Sequence, residues 1–415
     1  MHPDEPRPCA RPVRRAQGSI FHRALALLLL TAILAGCSGL KLPDFFTPAS
    51  PTPTLQPTAG VTPSPEASPT PDAQAQALTL WLPPRFDPQN SGAAGKLLAA
   101  RLESFAAQNP GVSITVRIKA ETGTASLINS LAAAAPAAPG ALPSLVALTH
   151  NDLQTAALKG LIFPLDDYSQ GTRLLDWYGY ARDLSQLQGG TLGLPFAGDA
   201  LVLLYRPART GALADTWTGL MQQGVPLVFA AGDPQALVTL ALYRSADGLS
   251  ADTQQRPILQ AEPLAEVLQL YQDGAANGTF PAWLPTITSS EQAWQAYTDQ
   301  RVHISAAWSS AYLGSLPADT SLALLPGLKR PATLASGWLW CLSDPNPARR
   351  ELAVRLMEYL TEPEFMGEWT SAAGYLPARA KALAEWKDQS LRATVNQIVV
   401  SAQAQPPSDQ LYTLG

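Results

Sequence analysis

Ala77-Leu78-Thr79-Leu80-Trp81-Leu82, stopped by Pro83-Pro84, is an apolar run that reads as a short buried strand. The next apolar pattern has a different period. Leu97, Leu98, Leu102 and Phe105 fall on one face of a helix over 95–108, and Asn109-Pro110-Gly111 stops it. Val112-Ser113-Ile114-Thr115-Val116-Arg117-Ile118 then alternates at period two, which predicts a second strand. A helix over 124–134 and a strand at Leu145-Val146-Ala147-Leu148 come next. A helix over 151–159 follows, closed by Gly160. Strands alternating with helices in this way predict a mostly parallel sheet in an α/β domain.

The same alternation continues downstream. Strands are expected at 199–205, 226–229, 302–306 and 322–325, and a helix at 217–223. A helix over 263–277 carries Leu264, Val267, Leu268 and Tyr271 on one face. Ser290 can cap a helix running to 298. A helix over 347–359 opens on Pro347, and another over 364–372 ends at Gly374.

Upstream of Ala77 the chain has another character. Residues 1–36 carry Arg7, Arg11, Arg14, Arg15 and Arg23, then an apolar run from Ala24 to Ala35, the outline of a secretory signal. That run is shorter than the roughly 20 residues a bilayer-spanning helix needs. Leu34-Ala35-Gly36-Cys37 at its end resembles the lipobox of bacterial lipoproteins. The resemblance implies removal of 1–36 and lipidation of Cys37. The lipidated Cys and the Pro/Thr-rich tract after it, 37–76, read as a tether without a core of its own. Polyproline II rises about 3.1 Å per residue, so the tether could hold a domain roughly 100 Å from the membrane.

Without residues 1–36, Lys and Arg number 23 against 31 Asp and Glu, a net charge of −8. A mildly acidic chain without basic clusters argues against a nucleic-acid partner. Cys341 is then the last free thiol, so no intramolecular disulfide is available. Only His150 and His303 remain, too few for a His/Cys metal cluster. No metal and no cofactor is expected.

Several short pieces, in order, resemble family 1 extracellular solute-binding proteins, the receptors of carbohydrate ABC importers, similar to maltose-binding protein. They are Leu80-Trp81; Phe105-Ala106-Ala107-Gln108-Asn109-Pro110-Gly111-Val112; Ala157-Leu158-Lys159-Gly160-Leu161-Ile162-Phe163-Pro164-Leu165-Asp166; and Gly193-Leu194-Pro195-Phe196-Ala197-Gly198-Asp199. Further on come Ala306-Ala307-Trp308, Leu324-Leu325-Pro326-Gly327, Ser336-Gly337-Trp338, Tyr359-Leu360-Thr361-Glu362-Pro363-Glu364 and Gly374-Tyr375-Leu376-Pro377-Ala378-Arg379. Two departures stand out. Pro143-Ser144 replaces the family's usual Pro-Asp, and the chain stops at Gly415, where relatives usually continue with a helix on the second lobe. Either that helix is absent or the chain is shortened. The resemblance implies a two-lobed α/β fold of the periplasmic-binding-protein type, with a hinge of several crossing strands. The first lobe is expected at 77–194 plus 335–375, and the second at 195–334 plus 376–415.

A pyranose has an apolar C–H face ringed by hydroxyls, which a flat aromatic ring and neighbouring polar groups together match. Trp81, His150 and Asn151 follow the C-terminal ends of expected strands, where α/β sheets place ligands. Trp308 follows another, Trp338 and Trp340 flank an expected crossing, and Tyr375 lies in the Gly-Tyr-Leu-Pro turn. Asp199 interrupts an apolar run; it either accepts ligand hydroxyls or fixes the crossing backbone. Trp338 and Trp340 share one strand face and serve equally well as core. His150 reads equally as a loop residue, and Arg85 and Asp87 reach either a cleft or solvent. Trp294, Trp369 and Trp386 fall in helical patterns and read as packing residues.

Enzyme chemistry finds little support. Asp166-Asp167 are adjacent and point apart, whereas glycosidase carboxyls face each other roughly 5–10 Å apart. No Gly-x-Ser-x-Gly elbow is present. The reading is a monomeric, lipid-anchored binding protein on the outer face of the cytoplasmic membrane. It would bind carbohydrate and hand it to ABC permease subunits. Alternatives are a sensing receptor or degenerate scaffold without transport, and, further off, an extracellular hydrolase.

Overall fold

Leu78, Leu80, Trp81 and Leu82 are buried and form the first strand of the core, as the apolar run demands. The computed structural model describes residues 77–413 apart from 170, 174, 255, 408, 409 and 412. The expected signal segment, Cys37 and the Pro/Thr-rich tether lie outside the described residues.

The strands are β1 (Ala77–Leu82), β2 (Ser113–Ile118), β3 (Leu145–Thr149), β4 (Gln186–Leu187), β5 (Gly190–Thr191), β6 (Leu194–Tyr205), β7 (Leu227–Val228), β8 (Ile304–Trp308), β9 (Ser321–Leu324), β10 (Thr333–Leu342) and β11 (Ala402–Ala404). The helices are α1 (Ala93–Gln108), α2 (Leu127–Ala137), α3 (His150–Leu158), α4 (Gly179–Ser185), α5 (Pro207–Thr210), α6 (Trp217–Gln223) and α7 (Leu237–Ser245). They continue with α8 (Ala261–Ala276), α9 (Ser290–Thr298), α10 (Ser309–Leu313), α11 (Pro347–Tyr359), α12 (Pro363–Ala373), α13 (Ala380–Ala384) and α14 (Gln389–Ser401). None of these helices is long and apolar enough to cross a membrane.

One large sheet runs β2-β1-β3-β10-β6-β8-β7, with β11 beside β10 and β9 beside β6. β1 is parallel to β2 and β3, as the α/β alternation predicts. β10 lies antiparallel to both β3 and β6, so the sheet is mixed rather than mostly parallel. The cause is connectivity: β6 and β10 carry the chain from one lobe to the other and back, so they cannot follow the βαβ rule. β6 belongs to both lobes. Its first half, through Ala200, pairs with β10; from Leu201 to Tyr205 it pairs with β8 and β9.

Two apolar cores follow. One surrounds Leu80, Leu98, Leu148, Trp340, Leu356 and Trp369, and takes in Val395 and Ile398 of α14. The other gathers Leu203, Val228, Leu242, Val267 and Tyr297. Burying each such large side chain contributes about 1.5–3 kcal/mol.

The two faces of β10 separate the chemistry that follows. Trp338 and Trp340 point to one face, where Phe86 meets Phe196, Trp338 and Trp369 at 5.3 Å and Tyr375 at 5.5 Å. Asp199 is paired with Ser336, two residues from Trp338, and so shares that face. Leu339 and Cys341 point to the other face, where α3 and α4 pack. Cys341 is fully buried there, and burial pushes its thiol well above the ordinary value.

Candidate functional site

On the Asp199 face a cavity of about 460 Å³ opens between elements of both lobes. Its walls come from the ends of elements. Arg85 follows β1 in a 3-10 turn, Pro84–Phe86. Trp308 ends β8, Ser290 and Glu291 open α9, and Tyr375 follows α12. A smaller pocket of about 170 Å³ adjoins it through Ser290, Glu291 and Trp308, and adds Asp233 and Gln235 from the loop after β7. Ligand at the C-terminal ends of β1, β7 and β8 is where open α/β sheets bind.

Local chemistry fixes each side chain. Arg85 donates from Nε to Glu121 Oε1 at 2.7 Å, from Nη2 to Oε2 at 2.5 Å, and from Nη1 to the Tyr375 hydroxyl at 2.7 Å. Its guanidinium lies 5.7 Å from the centre of the Trp338 ring. Burial alone would lower the Arg85 pKa; the bonds to Glu121 and Tyr375 outweigh it and hold the guanidinium above its ordinary value. Burial raises the Tyr375 phenol, against the opposing pull of Arg85. Trp308 is partly exposed, and its backbone N–H donates to Ser290 Oγ at 3.0 Å.

Asp199 is the most heavily bonded acid here. Its carboxylate accepts from Ser309 Oγ at 2.7 Å, Ser310 N at 3.0 Å, Ser310 Oγ at 2.5 Å and its neighbour Ala200 N at 3.0 Å. Burial raises its pKa above the ordinary carboxylate value even so. These bonds tie the crossing strand β6 to α10, and the carboxylate still lines the cavity.

The residues singled out from sequence are distributed unevenly. Asp199, Trp308 and Tyr375 meet in the cavity, with Trp338 directly behind Arg85. Trp81 is 3% exposed and Trp340 2%, and neither lines it. Lys119 Nζ sits 4.7 Å from the Trp81 ring, and Trp340 stacks on Phe196 at 4.5 Å. His150 and Asn151 lie on the opposite face of the sheet. His150 Nδ1 is 3.0 Å from the Leu184 carbonyl and Nε2 is 2.7 Å from Gln154 Nε2. Burial lowers its pKa to about 4, against the Leu184 bond. Asn151 Oδ1 accepts from Gln405 Nε2 at 2.9 Å.

Trp294 corrects one expectation. Trp369 and Trp386 are buried packing residues, but Trp294, stacked on Tyr297 at 5.2 Å, also lines the cavity. Trp294 lies one turn on from Ser290 and Glu291, at i+4 and i+3, and so shares their face of α9. Ser289 rather than Ser290 caps that helix, accepting from Gln292 N. Glu291 and Ser310 had no distinguishing pattern. The cavity therefore offers aromatic faces, carboxylates and hydroxyls together, a set suited to a flat polar ligand.

The family model for bacterial extracellular solute-binding proteins matches residues 100–394. No curated protein matches the sequence. Among solved structures, the cyclic α-maltosyl-1,6-maltose binding protein from Arthrobacter globiformis is similar at TM-score 0.67 and 18% identity, covering 81% of this chain and 90% of that one. The sugar-binding protein MalE from the phytopathogen Xanthomonas citri is similar at TM-score 0.64 and 18% identity, covering 80% and 87%. Maltose-bound MalE3 from T. maritima is similar at TM-score 0.60 and 19% identity, covering 81% and 91%.

Proposed function

The chain belongs to the bacterial extracellular solute-binding protein family, and from that premise we propose that it is the lipid-anchored carbohydrate receptor of an ABC importer. The cavity at Trp308 and Tyr375 carries the reading. Its aromatic faces cover the C–H surface of a sugar ring, while Glu291, Asp199 and the hydroxyls of Ser290 and Ser310 take the sugar's hydroxyls. Sugar-bound structures with the same fold support this ligand class. The family places the protein outside the cytoplasm. On this reading Cys37 is lipidated, 37–76 is the tether, and a permease receives the sugar from the monomer. The first lobe is 77–194 plus 335–375, and the second 195–334 plus 376–415. Both lobes contact the ligand, and the closed form is selected because it makes contacts the open form lacks.

Thermal unfolding against mono- and oligosaccharides, malto-oligosaccharides included, tests this. A sugar at one hundred times its dissociation constant adds about 2.7 kcal/mol, a rise of about 4 °C for a chain of this size. Trp308→Ala should weaken that sugar about tenfold or more, since the stacked face is lost, with little change in the Tm of the free protein. A folded sample that responds to no sugar overturns the reading.

A further inference from the structure

A second cavity, of about 500 Å³, lies on the other side of the crossing strands. His150 and Gln154 of α3 and Asp183 of α4 form one wall; Arg244, at the end of α7, and Ala251 form the other. Gln405, just past β11, closes it. Its walls thus come from both lobes, on the face of β10 opposite Trp338 and Asp199.

Arg244 is the unusual residue. It is largely withdrawn from water, with Nη1 donating to the Ala404 carbonyl at 3.0 Å and Nη2 to Ser250 Oγ at 2.9 Å. Those bonds leave Nε–H and the rest of the fork for another acceptor. Among the described residues no carboxylate forms an ion pair with it, and Asp183 acts only from farther off. Burial lowers its pKa, and the more distant charge of Asp183 offsets this only in part. A guanidinium held in a polar cavity with no carboxylate bonded to its fork is a place where a planar carboxylate fits bidentately. A doubly charged phosphate fits less well, because Arg330, the other cation on the wall, is already paired with Asp247. Gln154 and Gln405, both buried, line the same cavity, with Gln154 Nε2 beside His150 Nε2 and Gln405 Nε2 donating to Asn151; an amide presents a donor and an acceptor to a hydroxyl.

We propose that this cavity binds a small hydroxylated carboxylate, with the carboxylate on Arg244 and the hydroxyls on Gln154 and Gln405. The site is separate from the saccharide cleft.

Isothermal titration of the purified protein with gluconate tests it, with sorbitol as the polyol lacking a carboxylate. Gluconate should bind and sorbitol should not. Arg244→Gln should weaken gluconate about tenfold or more, the usual loss for a charge-assisted bond. Ala251→Trp, which fills the cavity while leaving the hydrogen bonds of Arg244 in place, should do the same if Arg244→Gln fails to fold. Trp308→Ala should leave gluconate binding unchanged. The proposal is overturned if gluconate does not bind, if sorbitol binds equally, or if Ala251→Trp binds gluconate as the parent does. Loss of gluconate binding in Trp308→Ala also overturns it, because the anion would then occupy the cleft.

Discussion

Asp199 and His150 show how single polar residues are held on the two faces of the crossing strands. Asp199 accepts only from donors, so an amide in its place turns one oxygen into an N–H facing a serine hydroxyl or a backbone N–H. Asp199→Asn should cost about 1–3 kcal/mol, seen as a lower urea midpoint with an unchanged m-value. His150 gives a pH signature. Its pKa is lowered to about 4 in the folded chain from an ordinary 6.5. Between those values the unfolded chain binds a proton that the folded chain refuses, so stability falls as pH drops from 6.5 towards 4. The loss from this residue approaches about 3 kcal/mol once pH lies below both values. His150→Gln should flatten that part of the stability profile. Trp308, Tyr375 and Asp199, which line the cavity, were legible as candidates because each breaks a local pattern at a strand end, inside an apolar run or in a turn. Trp294 was not, since an aromatic at helical spacing reads as core whether or not one edge faces a cavity.

At the level of elements, the turn after α12 constrains the cleft closely. Gly374 caps that helix at φ 75°, and a Cβ there would stand 2.5 Å from Gly314 Cα. Gly374→Ala should therefore destabilise by more than about 1 kcal/mol and weaken saccharide binding by moving Tyr375. Gly314→Ala is the control: its Cβ would meet only the Ser310 carbonyl at 3.1 Å, so its cost should be smaller in the same denaturation series. Elements with one buried face were legible. α6 and α11 fall at 217–223 and 347–359, where the sequence predicts them. The buried ones were not. Leu237–Ser245 is buried almost throughout, so α7 lacks the exposed polar face that marks a surface helix. β6 runs twelve residues, but only its second half was readable. Pro195 breaks the pattern on paper and is accommodated next to the register shift between Trp338 and Leu339. β10 alternates nothing, since Trp338 through Leu342 are all buried.

For the whole molecule, the decisive geometry is that β6 and β10 join the lobes while each cavity draws its walls from both. A rotation about these strands that narrows the gap on the Asp199 face must widen the gap on the His150 face. Closure around a saccharide would stretch the contacts spanning the far cavity, the Gln405 bond to Asn151 among them. A carboxylate bridging Arg244 to Gln154 resists that stretch, so the two ligands should oppose each other. Allosteric coupling is reciprocal in binding free energy. Saturating gluconate should raise the saccharide dissociation constant about fivefold or more, and saturating saccharide should raise that of gluconate by the same factor. Two titrations measure both factors. Equal factors that vanish together in Ala251→Trp would support a hinge at β6 and β10. Simultaneous binding with no mutual effect would mean that the lobes do not rotate about these strands when the cleft fills.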